Sequence, residues 1–247
     1  MGKMLIHQKR GKGLPAFLSP THHHLADIRY PDWLRAHVGV AQVMDLIDDP
    51  LRSAIIAKLS FEDGKWFYNV AAESLAIGDK VNIGGEGSST VGAVLPLSSI
   101  PDGTPVFNLE LSPSDGGKVA RASGTQCHVV SHDEDTGLVS VQLVSKKSVI
   151  LSPLCLATVG VVCGGERVDK PFMKAGTHYY AMKARNKYWP KVRGSAMSAY
   201  DHPHGGKSMG TPSTVSRHAP PGAKVGHIAA RQTGRKKARQ SSEKQGA

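Results

Sequence analysis

Short apolar runs separated by polar turns occupy the middle of the chain, at 38–47, 54–59, 66–70, 80–83 and 106–111. Phe107, Leu109 and Leu111 alternate with Asn108 and Glu110, which is the period of a half-buried strand. Between the second and third runs stands Glu62-Asp63-Gly64-Lys65. Asp-Gly readily takes the positive φ angles of a tight turn, so these runs predict a hairpin. Five short strands within 38–111 predict a small closed barrel, of which the OB-fold is one candidate.

A second set follows the turn-forming stretch Ser112-Pro113-Ser114-Asp115-Gly116-Gly117. The runs at 126–131 and 138–144 flank the polar turn 132–137, and Val139, Val141 and Leu143 alternate with Ser140 and Gln142. With the runs at 148–151 and 155–162 this makes four or five strands, the size of an SH3-like barrel. The acidic turn Asp133-Glu134-Asp135 lacks the later bidentate Glu of a calcium loop and reads as a solvated turn. Gly84-Gly85-Glu86-Gly87 is followed by no Gly-Lys-Ser/Thr and no amphipathic helix, so it reads as a hairpin connection rather than a phosphate loop.

Beyond Gly164-Gly165 the period of two disappears. One short basic helix is expected within 170–188, interrupted by Gly176. From Gly205 onward the composition is Gly, Pro, Ser, Thr, Lys and Arg, too poor in apolar surface to offset its ordering entropy, so the tail is expected to be ordered only on a partner. The expected fold class is all-β: a basic N-terminal arm over 1–37, an OB-like barrel over 38–111, an SH3-like barrel over 112–172 and a basic C-terminal extension over 173–247.

Composition agrees: 27 glycines and 15 prolines against 6% aromatic residues suit small β modules with much irregular chain. Charge adds more. Of the 247 residues, 1–37 hold six Lys/Arg and two acids, 38–110 hold four and ten, 111–173 six and six, and 174–247 fifteen and two. A net charge of +11 segregated this way describes a near-neutral middle with two cationic arms, the signature of a polyanion partner, most simply nucleic acid. Cys127, Cys155 and Cys163 form no C-x-x-C pair and sit in apolar runs, as small buried hydrophobes in a reducing compartment do. No segment has the length of a signal peptide's apolar core or a membrane span, so a soluble cytoplasmic protein is expected, with no membrane partner.

The richest chemistry lies at 183–207. Lys183, Arg185, Lys187, Lys191 and Arg193 suit phosphates, and Tyr188 and Trp189 either stack on bases or pack the segment against the barrels. Gly205 and Gly206 would let backbone approach RNA where a Cβ clashes. Asp201-His202 admits an enzymatic reading, with His202 as base towards Ser195 or Ser198, but neither serine has a Gly-x-Ser-x-Gly context. A third class, a promiscuous nucleic-acid chaperone, uses the arms alone. The triplet His22-His23-His24 and the pair His202/His204 lack further ligands, so no metal site is expected.

The run Arg193-Gly194-Ser195-Ala196-Met197, followed by Asp201-His202-Pro203-His204-Gly205-Gly206, resembles the signature of the universal ribosomal protein L-two of the large subunit. Supporting matches include Asp49-Pro50, Gly116-Gly117-Lys118, Arg121-Ala122-Ser123-Gly124, Lys174-Ala175-Gly176 and Ala219-Pro220-Pro221-Gly222, and together they span nearly the whole chain. The tail is similar to the archaeal and eukaryotic branch, and Asp169-Lys170-Pro171-Phe172 leans archaeal. The resemblance implies an OB-like barrel followed by an SH3-like barrel, with both termini threading into large-subunit ribosomal RNA. It implies no enzyme: the family supports assembly of the peptidyl-transferase region, subunit association and tRNA placement, while RNA performs the chemistry. Implied partners are that RNA, neighbouring ribosomal proteins and, through the assembled ribosome, the small subunit and tRNA. No cofactor is implied beyond RNA-associated Mg2+. By position, Met197, Asp201, His202, Pro203, Gly205 and Gly206 inherit the loop nearest that region. The other expected RNA contacts are Lys9, Arg10, Lys12, Lys118, Arg121, Lys174, Trp189, His204, Lys207, Arg217, Lys224 and Arg235. Ser198 and Lys207 depart from the usual Asn and third Gly.

Overall fold

The computed structural model describes residues 2–85, 89–207 and 214–230, with the side chain of His22 excepted. The chain forms two compact units, one of residues 20–173 and one of residues 1–19 with 174–247.

The first unit holds ten strands, beginning with β1 (Gly39–Ile47), β2 (Ile56–Ser60), β3 (Trp66–Val70), β4 (Lys80–Ile83) and β5 (Val94–Pro96). They continue as β6 (Pro105–Phe107), β7 (Cys127–His132), β8 (Val139–Gln142), β9 (Ser148–Leu151) and β10 (Leu156–Val159). The pairing order is β3-β2-β1-β4-β5-β10-β6-β7-β8-β9. Two consecutive β-barrel modules, OB-like and then SH3-like, share this one continuous ladder. The expected hairpin joins β2 to β3: Gly64 has φ +83° and donates to the Phe61 carbonyl at 3.1 Å.

The pair β5 and β10 lies between two cores. Val94 and Leu156 pack into one cluster with Val43, Leu59, Phe67, Val81 and Ile83. Their neighbours Leu95, Cys155, Ala157 and Val159 face a second with Val106, Val129, Val139 and Val141. Successive side chains of a strand point to opposite sides. A strand buried on both faces therefore reads as a nearly continuous apolar run, as 155–162 does with Thr158 as its one polar side chain. A third cluster gathers Ile28, Ile56, Val70, Phe107 and Val162.

The run at 106–111 departs from the expectation. Its strand is Pro105–Phe107, and it pairs with β7 and β10, not with the first barrel's strands. Residues 106–110 are all buried, Asn108 and Glu110 at 0% exposure, while Leu111 is exposed. Polar residues at alternate positions here do not mark a solvent face, because each is bonded inside. Asn108 Nδ2 donates to Asn69 Oδ1 at 2.9 Å, and Asn69 Nδ2 donates to Thr158 Oγ1 at 3.1 Å. The Tyr30 hydroxyl lies 2.6 Å from Thr158 Oγ1, and burial pushes its phenol pKa far up. Glu110 accepts from the Gly116 and Leu156 amides at 2.9 and 2.8 Å and pairs with Arg35.

Residues 20–37, assigned from sequence to the arm, belong to this barrel unit and bury Ile28, Tyr30 and Leu34. At 132–137 Asp133 closes the turn on itself, accepting from Thr136 Oγ1 at 2.6 Å and the Asp135 amide at 3.1 Å. Cys127 and Cys155 are buried and Cys163 half-buried, all as free thiols. Among the described residues no helix is long and apolar enough to cross a membrane.

Candidate nucleic-acid interface

The second unit brings the chain's two ends together. Residues 2–19 contribute two turns of 3-10 helix, Ile6–Lys9 and Pro15–Phe17. The C-terminal part opens with helix α1 (Ala175–Ala184). Gly176 falls in its first turn, so the expected interruption does not occur. A short parallel pair, β11 (Thr214–Val215) and β12 (His227–Ile228), orders part of the tail expected to need a partner. The pair closes on itself, the Ala229 amide donating to the Val215 carbonyl at 2.8 Å.

The signature segment folds as a tight knot around His202, which is 4% exposed. Its Nε2 donates to the Gly222 carbonyl at 2.8 Å, and its Nδ1 accepts from the His204 amide at 3.1 Å. These partners require the neutral Nε2–H tautomer. Gly194 lies against the ring: a Cβ there would stand 2.3 Å from His202 Cε1. Turn bonds complete the knot, from Asp201 and His202 amides to Ser198 O at 3.0 and 3.1 Å and from Gly206 N to Met197 O at 3.1 Å.

Asp201 does not orient His202. Its carboxylate accepts from Ser198 Oγ at 3.1 Å and pairs with Lys3. The Lys3 bond, then Ser198, holds the carboxyl below the usual carboxylate range, and Asp201 in turn raises the Lys3 ammonium. The Ser, His and Asp groups thus form no relay, since Ser198 bonds Asp201 directly and the His202 ring bonds neither of them. Gly205 also departs from its expected use. The space a Cβ would fill is taken by this loop's own backbone, Ser198 O at 2.3 Å and Met197 O at 2.5 Å. Gly206 is exposed at φ +104°, a conformation that favours glycine, and a Cβ there would touch Ala199 Cβ at 3.4 Å.

Within this unit a cleft of about 770 Å3 is lined by Lys3, Lys9, Lys191, Arg193 and Lys224, with Asp201 as its one acid and His202 at its wall. Five cations converging on one concavity make a strong field for a polyanion. Lys9, Arg10, Lys12, Lys174, Lys183, Lys187, Lys191, Arg193, Lys207, Arg217 and Lys224 are exposed, as is Pro203. Arg185, Met197 and His204 are half-buried. Trp189 packs on His178 with ring centroids 4.4 Å apart, which favours the packing role over stacking on a base.

Two expected contacts lie in the barrel unit. Lys118 is exposed and pairs with Asp115. Arg121 donates to the carbonyls of Ile28 at 2.7 Å and Gly117 at 3.1 Å, tying the segment before β1 to the second barrel. Arg235 lies outside the described residues. Sequence reasoning missed Lys3, the partner of Asp201, and the exposed pair Tyr179 and Tyr180. The spacing of Tyr179 to Lys183 on one helix face was a signal for the latter. No local signal ties Lys3 to Asp201, because the bond joins opposite ends of the chain. Among the described residues no group of three or more His, Cys, Asp or Glu has metal-holding geometry.

A double β-barrel of OB and SH3 types, with a separate cationic unit made from both termini, defines the class of β-barrel nucleic-acid-binding proteins with basic extensions. Residues 4–83 match the family model described as Ribosomal Proteins L2, RNA binding N-terminal domain, and residues 90–239 match Ribosomal Proteins L2, C-terminal domain. The chain is similar to the large ribosomal subunit protein uL2 of Methanococcus maripaludis, 46% identical over 242 residues covering 96% of this chain and 100% of that protein. It is also similar to the large ribosomal subunit protein uL2 of Methanothermobacter thermautotrophicus, 45% identical over 247 residues with the same two coverages. The chain belongs to the ribosomal protein L2 family.

Proposed function

We propose that this protein is a structural constituent of the large ribosomal subunit that binds its ribosomal RNA. The observation that carries this is the cationic unit around His202, in a chain matched along nearly its whole length by archaeal uL2 proteins. The exposed lysines and arginines neutralise phosphates, releasing counterions as they do so. In this reading the knot at 194–206 shapes RNA in the peptidyl-transferase region and, through that RNA, supports subunit association and tRNA placement. The protein performs no bond chemistry of its own: His202 has both ring nitrogens committed to backbone partners, at Gly222 and His204. Magnesium ions, where present, belong to the RNA, and neighbouring ribosomal proteins are its other partners. Its place is the cytoplasmic ribosome.

The test is sedimentation. Native protein is expected to travel with the large subunit through a moderate salt wash. Free protein should bind large-subunit RNA with an affinity that falls steeply as salt rises. Migration away from the large subunit, or equal affinity for duplex DNA and ribosomal RNA, overturns the proposal.

A further inference from the structure

Helix α1 lies within the span matched by the family's C-terminal domain, a match that says nothing of what its outward face meets. None of its ten residues is buried, and no side chain caps its N-terminus. Its first turn carries no acid and is preceded by Lys174, the wrong sign for the positive end of the helix dipole. A helix this short is marginal in water without a packed face. Its inner side is partly covered, with His178, Ala181 and Met182 half-buried and Trp189 against His178, while its outward side stays exposed among the described residues.

The outward residues say what meets that side. Gly176, Tyr179, Tyr180 and Lys183 follow the i, i+3, i+4, i+7 spacing of one helical stripe. Tyr180 is 69% exposed and Tyr179 42%. Their rings meet edge to face at 5.5 Å and 79°. In that geometry each ring keeps at least one face free of the contact. A Cβ on Gly176 would meet nothing within 4 Å, so the stripe is flat and open at that end. Beside it a small cleft of about 220 Å3 is bordered by Tyr179, Lys183, Lys187 and Trp189. From Lys174 to Tyr200 the sequence holds six Lys/Arg and no Asp or Glu.

We infer that α1 is a base-stacking platform: an unpaired nucleotide of the RNA lies on Tyr180, with Lys183 and Lys187 on the flanking phosphates. Aromatic faces beside lysines fit single-stranded RNA, whose splayed bases stack on such rings. A basic protein surface is excluded by charge, and an apolar partner would leave Lys183 and Lys187 unpaired. The inference rests on the RNA-binding reading and assigns the stacking role to Tyr180 in place of the packed Trp189.

The test uses full-length protein and large-subunit ribosomal RNA, with affinity measured across a salt series. Tyr180→Ala is expected to weaken binding about tenfold with the salt slope unchanged, since stacking carries no charge. Tyr180→Phe should bind as wild type, and Lys183→Gln should lower the slope by about 0.7 to 0.9, one phosphate's share. Because Tyr180 is exposed, the circular dichroism and melting of Tyr180→Ala should match wild type. Wild-type affinity in Tyr180→Ala overturns the platform while leaving the RNA-binding reading standing. Failure of the wild type itself to bind this RNA overturns both. In assembled subunits, a photo-crosslinker at position 180 should capture RNA, and capture of protein instead overturns the platform.

Discussion

His202 Nε2 donates to the Gly222 carbonyl at 2.8 Å, joining the signature loop to a turn twenty residues later. Its other nitrogen holds the His204 amide within the loop, so one buried ring fixes the loop and ties it to a second segment. Replacing His202 by Ala should leave these groups without partners, at about 1–3 kcal/mol for each left buried. The expected outcome is faster hydrogen exchange at the His204 amide and across 194–206, with β1 to β10 unchanged. Unchanged protection at His204 would show that the ring does not hold the loop.

The glycines of the cationic unit separate into two kinds. A Cβ at Gly205 would stand 2.3 Å from Ser198 O, a backbone atom that cannot swing aside. Gly205→Ala should cost about 1–3 kcal/mol or more through forced backbone shifts. Gly176 has open space in a helix, so Gly176→Ala should stabilise α1 by about 0.5–1 kcal/mol. Residue-level exchange in the two variants should move in opposite directions.

In the barrel unit Glu110 is the joint to test. Fully buried, it accepts from the amides of Gly116 and Leu156 and pairs with Arg35. All its partners are donors, so Glu110→Gln would aim an amide NH2 at another donor. Breaking a buried pair costs about 3–5 kcal/mol. Arg35 is 26% exposed and can regain water, which places the expected loss at the lower end. Chemical denaturation of the full chain measures it, and a loss within error of zero would refute the joint.

His132 gives the barrel a pH-dependent clasp. Nδ1 faces Asp102 Oδ1 at 2.6 Å and Nε2 faces the Leu97 carbonyl at 2.9 Å. Both partners accept, so only the imidazolium satisfies both. The Leu97 carbonyl, and after it Asp102, raise the pKa above its ordinary 6.5, against the opposing pull of partial burial. The clasp is therefore fully present below 6.5 and fades as pH rises through the raised native value. An NMR titration of His132 should show a midpoint above 6.5 that falls in Asp102→Asn. A midpoint at or below 6.5 in the wild type contradicts the clasp.

Much of this architecture was legible because its causes are local. Alternation and Asp-Gly turns marked the strands, and segregated cations marked the arms, since each depends on neighbours a few residues away. At 106–111 the same logic failed. Asn108 and Glu110 are polar yet buried, and their partners, Asn69, Gly116 and Leu156, are brought in by the fold.

The sequence by itself therefore determined the class of fold, its OB-like and SH3-like parts and the segregation of cations towards the two ends, because periodicity and charge are written residue by residue. Only the tertiary structure decided that β5 and β10 serve two cores, that Asp201 answers Lys3 rather than His202, and that Gly205 makes room for its own loop. It also decided that Trp189 is packed while Tyr180 stands open. Each of these depends on which distant atoms share a few ångströms of space, a relation that no local pattern encodes.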